Sequence, residues 1–212
     1  MEILEQISRG LQEGDDERVA ELVREAIERE LPTSAILDDG LIAGMNVVGE
    51  RFRIHEIFLP EVLLAAKAMY AGMALLKPLL VRDSIPSRGK VVLGSVKGDL
   101  HDIGKNLVAI LLQGAGFEII DLGHDVSPER FVEAAEGGGA RVIGMSALLT
   151  TTMSVMKGVV ELVRERGLSD RVKVIVGGAP VSEEFAREIG ADAYGYDAAN
   201  AVERVKVLVG AD

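Results

Sequence analysis

The sequence predicts an α/β protein in which an N-terminal four-helix bundle precedes a flavodoxin-like, doubly wound sheet of five parallel strands. Residues 3 to 81 show helical apolar spacing and contain no convincing strand. After a polar, breaker-rich segment at 83–89, short apolar strands alternate with helical stretches to the end of the chain. This change of rhythm predicts a helical bundle at 1–82, a linker at 83–89 and an α/β domain at 90–212.

The helical half contains start and stop signals for its successive helices. The acidic run at 15–17 favours the beginning of a second helix, because carboxylates stabilise a helix N-terminus. Pro32 ends that helix, and Thr33 or Ser34 is expected to cap the next one. Pro60 suits the first turn of the last helix. Short connections between these segments predict an antiparallel bundle.

The second half alternates strands and helices in the manner of a parallel sheet. Strands are predicted at 91–96, 117–121, 141–146 and 172–177 with a short fifth at 192–194, and helices near 104–115, 128–137, 153–167, 182–190 and 198–209. In such sheets ligands bind beyond the carboxyl ends of the strands. The loops after the first, third and fourth strands are therefore the expected site.

Composition excludes several classes of function. The 34 acidic residues outnumber the 23 lysines and arginines, and the net charge of −11 argues against nucleic-acid binding. The chain has no cysteine and three histidines, which argues against thiolate and His-rich metal centres. No signal peptide is visible, and no apolar stretch is expected to reach the ~18 residues of a membrane span. A cytoplasmic protein that binds neither membrane nor nucleic acid is expected.

The loop after the first strand contains the main candidate for chemistry. Asp99 and His101 are two residues apart, and Gly104 follows. A carboxylate beside a histidine accepts one ring N–H and leaves the other nitrogen free for a metal. Gly104 has no β-carbon, so a bulky group can approach the backbone there. His101 alone has the alternative of an ordinary loop histidine bonded to Asp99.

The pattern Asp99-x-His101-x-x-Gly104 resembles the cobalamin-binding signature of corrinoid proteins. In that family the histidine replaces the cofactor's own base as the lower ligand of cobalt. The resemblance continues at Ser146-Ala147-Leu148 after the third strand and at Gly177-Gly178 after the fourth. It implies that both groups of residues line a tunnel for the detached nucleotide tail, with Thr150 a further contact.

The resemblance also assigns a relay to the metal ligand. A hydroxyl six positions after Ser146, here Thr152, matches the family residue that bonds the aspartate. Cobalt, His101, Asp99 and Thr152 would then be connected in series. The implied cofactor-binding residues are Gly98, Asp99, His101, Asp102, Ile103, Gly104, Ser146, Leu148, Thr150, Gly177, Gly178 and Phe58, with His101 the metal ligand and Asp99, His101 and Thr152 the reactive set.

The helical half adds a match of its own. This half resembles the bundle that precedes the cobalamin domain in methionine synthase and in corrinoid methyl carriers. The matching residues are Met45, Val48-Gly49-Glu50, Phe52 and Phe58-Leu59-Pro60-Glu61-Val62-Leu63. There the bundle caps the methyl-bearing face of the corrin, and Phe58 matches a cap position. Alone, Phe58 has the alternative of a core residue.

The resemblance implies a methyl carrier of anaerobic methyltransferase systems. Its cofactor would be cobalamin or a related corrinoid, with cobalt cycling between methyl-Co(III) and Co(I). Its implied partners are a substrate-specific corrinoid methyltransferase, an acceptor methyltransferase using tetrahydrofolate or coenzyme M, and a reductive activase. The chain itself would hold no complete active site.

Two other functions and three flanking residues stay open at this point. The cobalamin subunit of an adenosylcobalamin mutase shares the motif but generally lacks the bundle, and a corrinoid sensor would need a DNA-binding module that the acidic chain does not favour. His124 departs from the apolar residue usual in the family. It could lie near the corrin edge, but an exposed loop is expected. Lys97 and Lys105 flank the motif and could contact corrin amides or the tail phosphate, but they are expected to be solvated.

Overall fold

The computed structural model describes residues 2–210, which divide into two compact units. The first contains the chain up to Pro86 together with Gly114–Gly116, and the second contains the rest of the described chain from Ser87 onwards. The first unit is helical. The second contains every strand of the described chain and the loops that carry the predicted motif.

The helical unit is the predicted four-helix bundle, with one irregularity that periodicity did not reveal. Its helices are α1 (Ile3–Glu13), α2 (Asp16–Glu28), α3 (Thr33–Ala35), α4 (Ala43–Arg53) and α5 (Leu59–Arg82), and a π-helical segment (Ile36–Ile42) joins α3 to α4. The segment from Thr33 to Arg53 therefore acts as one long helix. Fully buried side chains from each helix, among them Ile7, Leu22, Leu41 and Leu76, form the core of this unit.

The ends of these helices follow the sequence signals in two of three places. The carboxylate of Asp15 accepts the Arg18 amide at 2.9 Å and caps α2. Pro60 lies in the first turn of α5. The expected cap by Thr33 or Ser34 is wrong, because Pro32 is the N-cap residue and gives no side-chain hydrogen bond. The Thr33 hydroxyl instead donates to the carboxylate of Asp83 at 2.7 Å.

Helix α5 corrects the expectation about membrane spans. By length and composition it is apolar enough to cross a membrane, because its few charges are widely spaced. Core helices of soluble bundles meet the same criteria, and α5 buries Val62, Ala65, Met69 and Leu76 within the helical unit. It packs mainly against α2. The bundle core accounts for part of its apolar character, since 39% of its apolar window is buried, while Leu63, Leu64 and Val81 are exposed.

The second unit is the predicted flavodoxin-like sheet. Its elements are β1 (Lys90–Ser95), α6 (Ile103–Gly114), β2 (Glu118–Asp121), α7 (Pro128–Gly138), β3 (Val142–Ser146), α8 (Ser154–Glu165), β4 (Lys173–Gly177), α9 (Glu183–Ile189), β5 (Ala193–Gly195) and α10 (Ala198–Val209). The strands are all parallel, in the order β2-β1-β3-β4-β5. The order reverses between β1 and β3, which makes their carboxyl ends the topological switch point.

The register places four strand ends in one row. Ser95 pairs with Ser146, Ser146 pairs with Gly177, and Gly177 pairs with Gly195. The loops after β1, β3 and β4 therefore leave the sheet side by side. Beneath them lies a core that includes Phe131, Ile143 and Met156.

Candidate functional site

The loop after β1 places Asp99 inside the protein and His101 at its surface. Gly98 has a φ of 84°, in the left-handed region, and turns the chain. Asp99 is 0% exposed, whereas the His101 side chain is 53% exposed. The buried carboxylate and the open imidazole are thus two residues apart on one turn.

The carboxylate of Asp99 accepts five hydrogen bonds. One oxygen, Oδ1, accepts from the His101 amide at 3.1 Å and lies 2.7 Å from His101 Nδ1. The other, Oδ2, accepts from the amides of Leu148 and Leu149 at 2.7 and 3.2 Å and from the Thr152 hydroxyl at 3.0 Å. The loop after β1 is therefore joined to the loop after β3 through one buried side chain.

These donors determine the charge of Asp99. Burial by itself raises the pKa of this carboxyl, but hydrogen bonds from the Leu148 amide and from the ring and amide of His101 outweigh it. The pKa of Asp99 is held well below its usual range. The side chain is consequently a carboxylate, which only accepts hydrogen bonds.

The state of Asp99 sets the tautomer of His101. Since the carboxylate has no proton to donate, the contact between His101 Nδ1 and Asp99 requires the hydrogen on Nδ1. The neutral ring then carries its lone pair on Nε2. Among residues 2–210, Nε2 has no hydrogen-bond partner, and more than half of the side chain is open to solvent. The ring therefore presents Nε2 to solvent, with a lone pair that a metal could bind.

The predicted contact between Thr152 and Asp99 is present. Thr152 is 7% exposed, and its single hydroxyl hydrogen lies between two acceptors, Asp99 Oδ2 at 3.0 Å and the Leu149 carbonyl at 2.9 Å. The hydroxyl can donate fully to only one of them at a time. Its support for Asp99 is thus partial, whereas the two backbone amides donate without competition.

The surface beside His101 is apolar and open. Leu100 and Ile103 are 67% and 74% exposed, and Leu148 is 44% exposed. A β-carbon at Gly104, in the first turn of α6, would meet no atom within 4 Å. Asp102 directly precedes α6 and its carbonyl accepts the Asn106 amide. Exposed apolar side chains on the two loops joined by Asp99, together with one free imidazole nitrogen, suit a large apolar ligand that carries a metal.

The other predicted residues lie on the same edge. Ser146 ends β3, and Thr150 is exposed in the following loop. Gly177 ends β4, and a β-carbon there would lie 2.9 Å from the Gly195 carbonyl oxygen. Gly178 has a φ of 124°, and a β-carbon on it would overlap the Ala147 carbonyl oxygen. The double glycine is thus required by the close approach of two backbone segments, the loop after β3 at Ala147 and strand β5 at Gly195.

One expectation about the flanking lysines is wrong. Lys105 is only 3% exposed, and its ammonium group bonds both oxygens of Asp121 at the end of β2. Lys105 lies four and seven residues before the buried Ala109 and Leu112, on the face of α6 that packs inward. That spacing was the available signal. Lys97 is exposed, as expected.

Sequence reasoning also missed two residues that hold the His101 loop. Ser95 is fully buried, and its hydroxyl donates to the His101 carbonyl at 2.6 Å. Asp125, in the loop after β2, accepts the Gly98 amide at 2.7 Å. No motif marks either residue. Each bonds a main-chain group, and a main-chain group is present whatever the side chain, so the sequence gives no sign of the contact.

The last two predicted residues are both exposed. His124 is exposed in the loop after β2. Phe58 belongs to the helical unit, precedes α5 and is 62% exposed. Its exposure excludes the alternative that it is a core residue of the bundle.

Comparison with known proteins identifies both halves of the chain. Residues 89–206 match a family model described as a B12 binding domain, and residues 3–77 match a second model with the same description. The chain is 42% identical over 213 residues to a corrinoid protein of Desulfitobacterium hafniense (strain Y51), with 99% of each chain covered. It is 49% identical over 188 residues to the dimethylamine corrinoid protein of Methanosarcina barkeri, with 88% of each covered. A chain in the crystal structure of the methanol:cobalamin methyltransferase complex of Methanosarcina barkeri is 31% identical and superposes with a TM-score of 0.87, covering 99% of this chain and 80% of that one.

Proposed function

This chain belongs to the family of corrinoid proteins built from B12-binding domains, and from that premise we propose that it carries a methyl group between two methyltransferases. The cofactor of the family is cobalamin or a related corrinoid. Its relatives include a dimethylamine corrinoid protein and a chain of a methanol:cobalamin methyltransferase complex. Those names support a role in methyl transfer.

The observation that carries the proposal is the His101 imidazole, held by Asp99 with Nε2 free at the surface. His101 would bind cobalt through Nε2, and Asp99 would keep the proton on Nδ1. A bound corrinoid would supply a cobalt ion able to accept and release a methyl group. The protein's part is to orient the imidazole, and Thr152 would support Asp99 in that task.

The remaining residues of the edge are proposed to hold the rest of the cofactor. Gly98, Asp102, Ile103 and Gly104 would lie along the corrin, where the open backbone at Gly104 leaves room for it. Ser146, Leu148, Thr150, Gly177 and Gly178 would line the space for the nucleotide tail. This assignment is supported by the strand register, which pairs Ser146 with Gly177 at the carboxyl ends of β3 and β4. Phe58 is proposed as a further contact from the helical unit, on the strength of its exposure.

Partner proteins are proposed for both half-reactions. This chain contains no cysteine, so any thiolate needed to activate a methyl donor or acceptor must come from another protein. We assign donation to a substrate-specific corrinoid methyltransferase, acceptance to a methyltransferase using tetrahydrofolate or coenzyme M, and rescue of oxidised cobalt to a reductive activase. A cytoplasmic location agrees with these partners.

The test is to identify the nitrogen bound to cobalt. The protein is reconstituted with hydroxocobalamin and reduced to the Co(II) form, and electron spin resonance is recorded with and without nitrogen-15 in the histidines. We expect the hyperfine splitting to change with histidine labelling and to be lost in His101→Ala. The exposed neighbour His124→Ala is the matched control and should keep the signal. Splitting that ignores histidine labelling would mean that the cofactor keeps its own base and would overturn the assignment.

Methyl transfer itself needs a second measurement. The protein is loaded with methylcobalamin and mixed with the methyltransferases of a methylamine system, and loss of the cobalt–methyl absorption is followed. Demethylation that depends on an acceptor methyltransferase supports the carrier role. A stably bound corrinoid that no methyltransferase demethylates or remethylates would instead indicate a sensor or storage protein.

A further inference from the structure

We propose that Asp125 is a positioning residue for His101. It acts through two backbone groups of the neighbouring loop, the amide of Gly98 and the carbonyl of Asp99. The inference rests on the proposed role of His101 as the cobalt ligand. Asp125 lies in the loop after β2, outside the sequence motif, and it touches neither His101 nor its ring. What it touches is the backbone on either side of the buried carboxylate that orients the ring.

The contacts form a two-point attachment between neighbouring loops. The Asp125 carboxylate accepts the amide N–H of Gly98 at 2.7 Å. The Asp125 amide in turn donates to the carbonyl of Asp99 at 3.1 Å. Because the Asp99 side chain is hydrogen-bonded to the ring of His101, a shift of the backbone at 98–99 would also shift the imidazole.

The attachment point is itself fixed. The carbonyl of Gly123 accepts the Ser95 amide at 2.9 Å, and the Val126 amide donates to the Ser95 carbonyl at 3.0 Å. These two bonds tie both ends of the 123–126 segment to the last residue of β1. Asp125 is therefore held against the sheet on both sides, although its side chain is exposed.

The backbone of Asp125 is in a conformation that most residues avoid. Its φ is 56°, in the left-handed region, where aspartate and asparagine are tolerated better than other non-glycine residues. Such conformations cost free energy and persist where the surroundings enforce them. Here the left-handed turn directs the carboxylate and the amide of one residue towards the same neighbouring loop. An aspartate at position 125 thus suits both the left-handed backbone and the hydrogen bond with the Gly98 amide.

A shift of the ring by a fraction of an ångström is enough to matter. A ligand bond to a metal requires the donor atom to be held close to its productive geometry, and partners outside the ligand set commonly contribute 10- to 100-fold in affinity. Without the Asp125 carboxylate, the Gly98 amide loses its acceptor and the turn before Asp99 is less restricted. We expect weaker ligation by His101 with the imidazole and Asp99 both still present.

Two substitutions separate the contact from charge and from backbone strain. Asp125→Asn keeps an acceptor oxygen and tolerates the left-handed backbone, but removes the charge. Asp125→Gly removes the acceptor and allows the same backbone without strain. If the hydrogen bond to Gly98 is what matters, the asparagine variant should bind hydroxocobalamin within about twofold of the wild type, and the glycine variant about tenfold more weakly.

The readout must report on His101 and not merely on stability. At equal occupancy, the fraction of Co(II) protein with histidine-nitrogen splitting should fall in Asp125→Gly and stay near the wild-type value in Asp125→Asn. In the protein without cofactor, the nitrogen-15 resonance of His101 Nδ1, assigned with His101→Ala, should move towards that of a freely exchanging tautomer only in the glycine variant. Full histidine splitting and an unchanged resonance in Asp125→Gly would overturn the proposal.

The same experiment distinguishes this inference from the proposed function. If wild-type protein shows no histidine splitting, cobalt ligation by His101 is refuted, and with it the part of the inference that concerns cobalt. The resonance of His101 in the cofactor-free protein still tests whether Asp125 orients the ring. Equal loss of splitting in both variants would overturn the hydrogen-bond argument, because it would show that the charge of Asp125 is responsible.

Discussion

The Nδ1 atom of His101 lies 2.7 Å from Asp99 Oδ1, while the second oxygen of the same carboxylate is bonded to the loop after β3. The orientation of one exposed ring therefore depends on a carboxylate whose exposure is zero. Two backbone amides and a hydroxyl from the neighbouring loop fix that carboxylate. The first two predictions concern its charge.

Asp99→Asn should weaken corrinoid binding. An amide presents one acceptor oxygen and one NH₂ group, so it cannot accept on both sides, and either His101 or the Leu148 amide is left without its partner. We expect a loss of 10- to 100-fold in affinity for hydroxocobalamin, measured by absorption titration. Thr152→Val should cost less, because it removes one shared hydrogen bond and no charge. A larger loss in the threonine variant would contradict this order.

The stability of the cofactor-free protein should depend on Asp99 at acid pH. The folded-state pKa of Asp99 is lowered relative to the unfolded value of about 3.9, so its contribution is complete above that value and is lost as the pH falls below it. At pH 7, Asp99→Asn should lower the free energy of unfolding by about 2 to 4 kcal/mol. The difference should shrink between pH 4 and the acid limit of folding. Urea titrations at several pH values measure it, and a constant difference would contradict the assignment.

Gly178→Ala should destabilise the α/β unit. Its φ of 124° is unfavourable for alanine, and the new β-carbon would overlap the Ala147 carbonyl oxygen, which is backbone and cannot turn aside. We expect a loss of at least about 2 kcal/mol from strain and overpacking together. Thermal or urea unfolding of the cofactor-free protein measures it. A variant as stable as the wild type would mean that the loops after β3 and β4 can separate at little cost.

Gly104→Ala should show the opposite pattern. A β-carbon there meets no atom within 4 Å, and alanine favours a helix over glycine, so the cofactor-free protein should be unchanged or up to about 1 kcal/mol more stable. Hydroxocobalamin should nevertheless bind about tenfold more weakly if the corrin lies against this backbone, because the added methyl group would occupy space that the corrin needs. Unchanged binding would remove Gly104 from the cofactor surface. Together with Gly178→Ala, this variant separates glycines needed for the fold from those needed for the ligand.

Thr33 and Asp83 should be coupled in the helical unit. The Arg82 guanidinium and the Thr33 hydroxyl lower the pKa of Asp83 to about 2. The stabilisation is therefore complete above the unfolded value of about 3.9 and is lost as the pH falls towards 2. A double-mutant cycle with Thr33→Val and Asp83→Asn should give a favourable coupling at pH 7 that decreases at pH 3. A coupling of zero at pH 7 would show that water can replace the hydrogen bond between Thr33 and Asp83 without loss of stability.

The sheet and the centre of the site could be predicted because both follow from local pattern. The apolar strands alternate with helices, and the Asp99–His101 contact joins residues two apart on one turn. The burial of Lys105 was missed because a charge was assumed to be solvated, although its place on the inner face of α6 indicated otherwise. The contacts of Ser95 and Asp125 could not be predicted, since they join side chains to backbone atoms of other segments.

The bonds that satisfy Asp99 also set an order of events during synthesis. Its donors at Leu148, Leu149 and Thr152 lie 49, 50 and 53 residues further along the chain. Chains are made at roughly 5–20 residues per second, so the motif emerges from the ribosome several seconds before the groups that complete it. Until β3 docks beside β1, the Asp99 carboxylate is left to water and the imidazole of His101 is free to turn. A nascent chain thus cannot complete the hydrogen bonds that hold Asp99, and through it the His101 ring, before its third strand is in place.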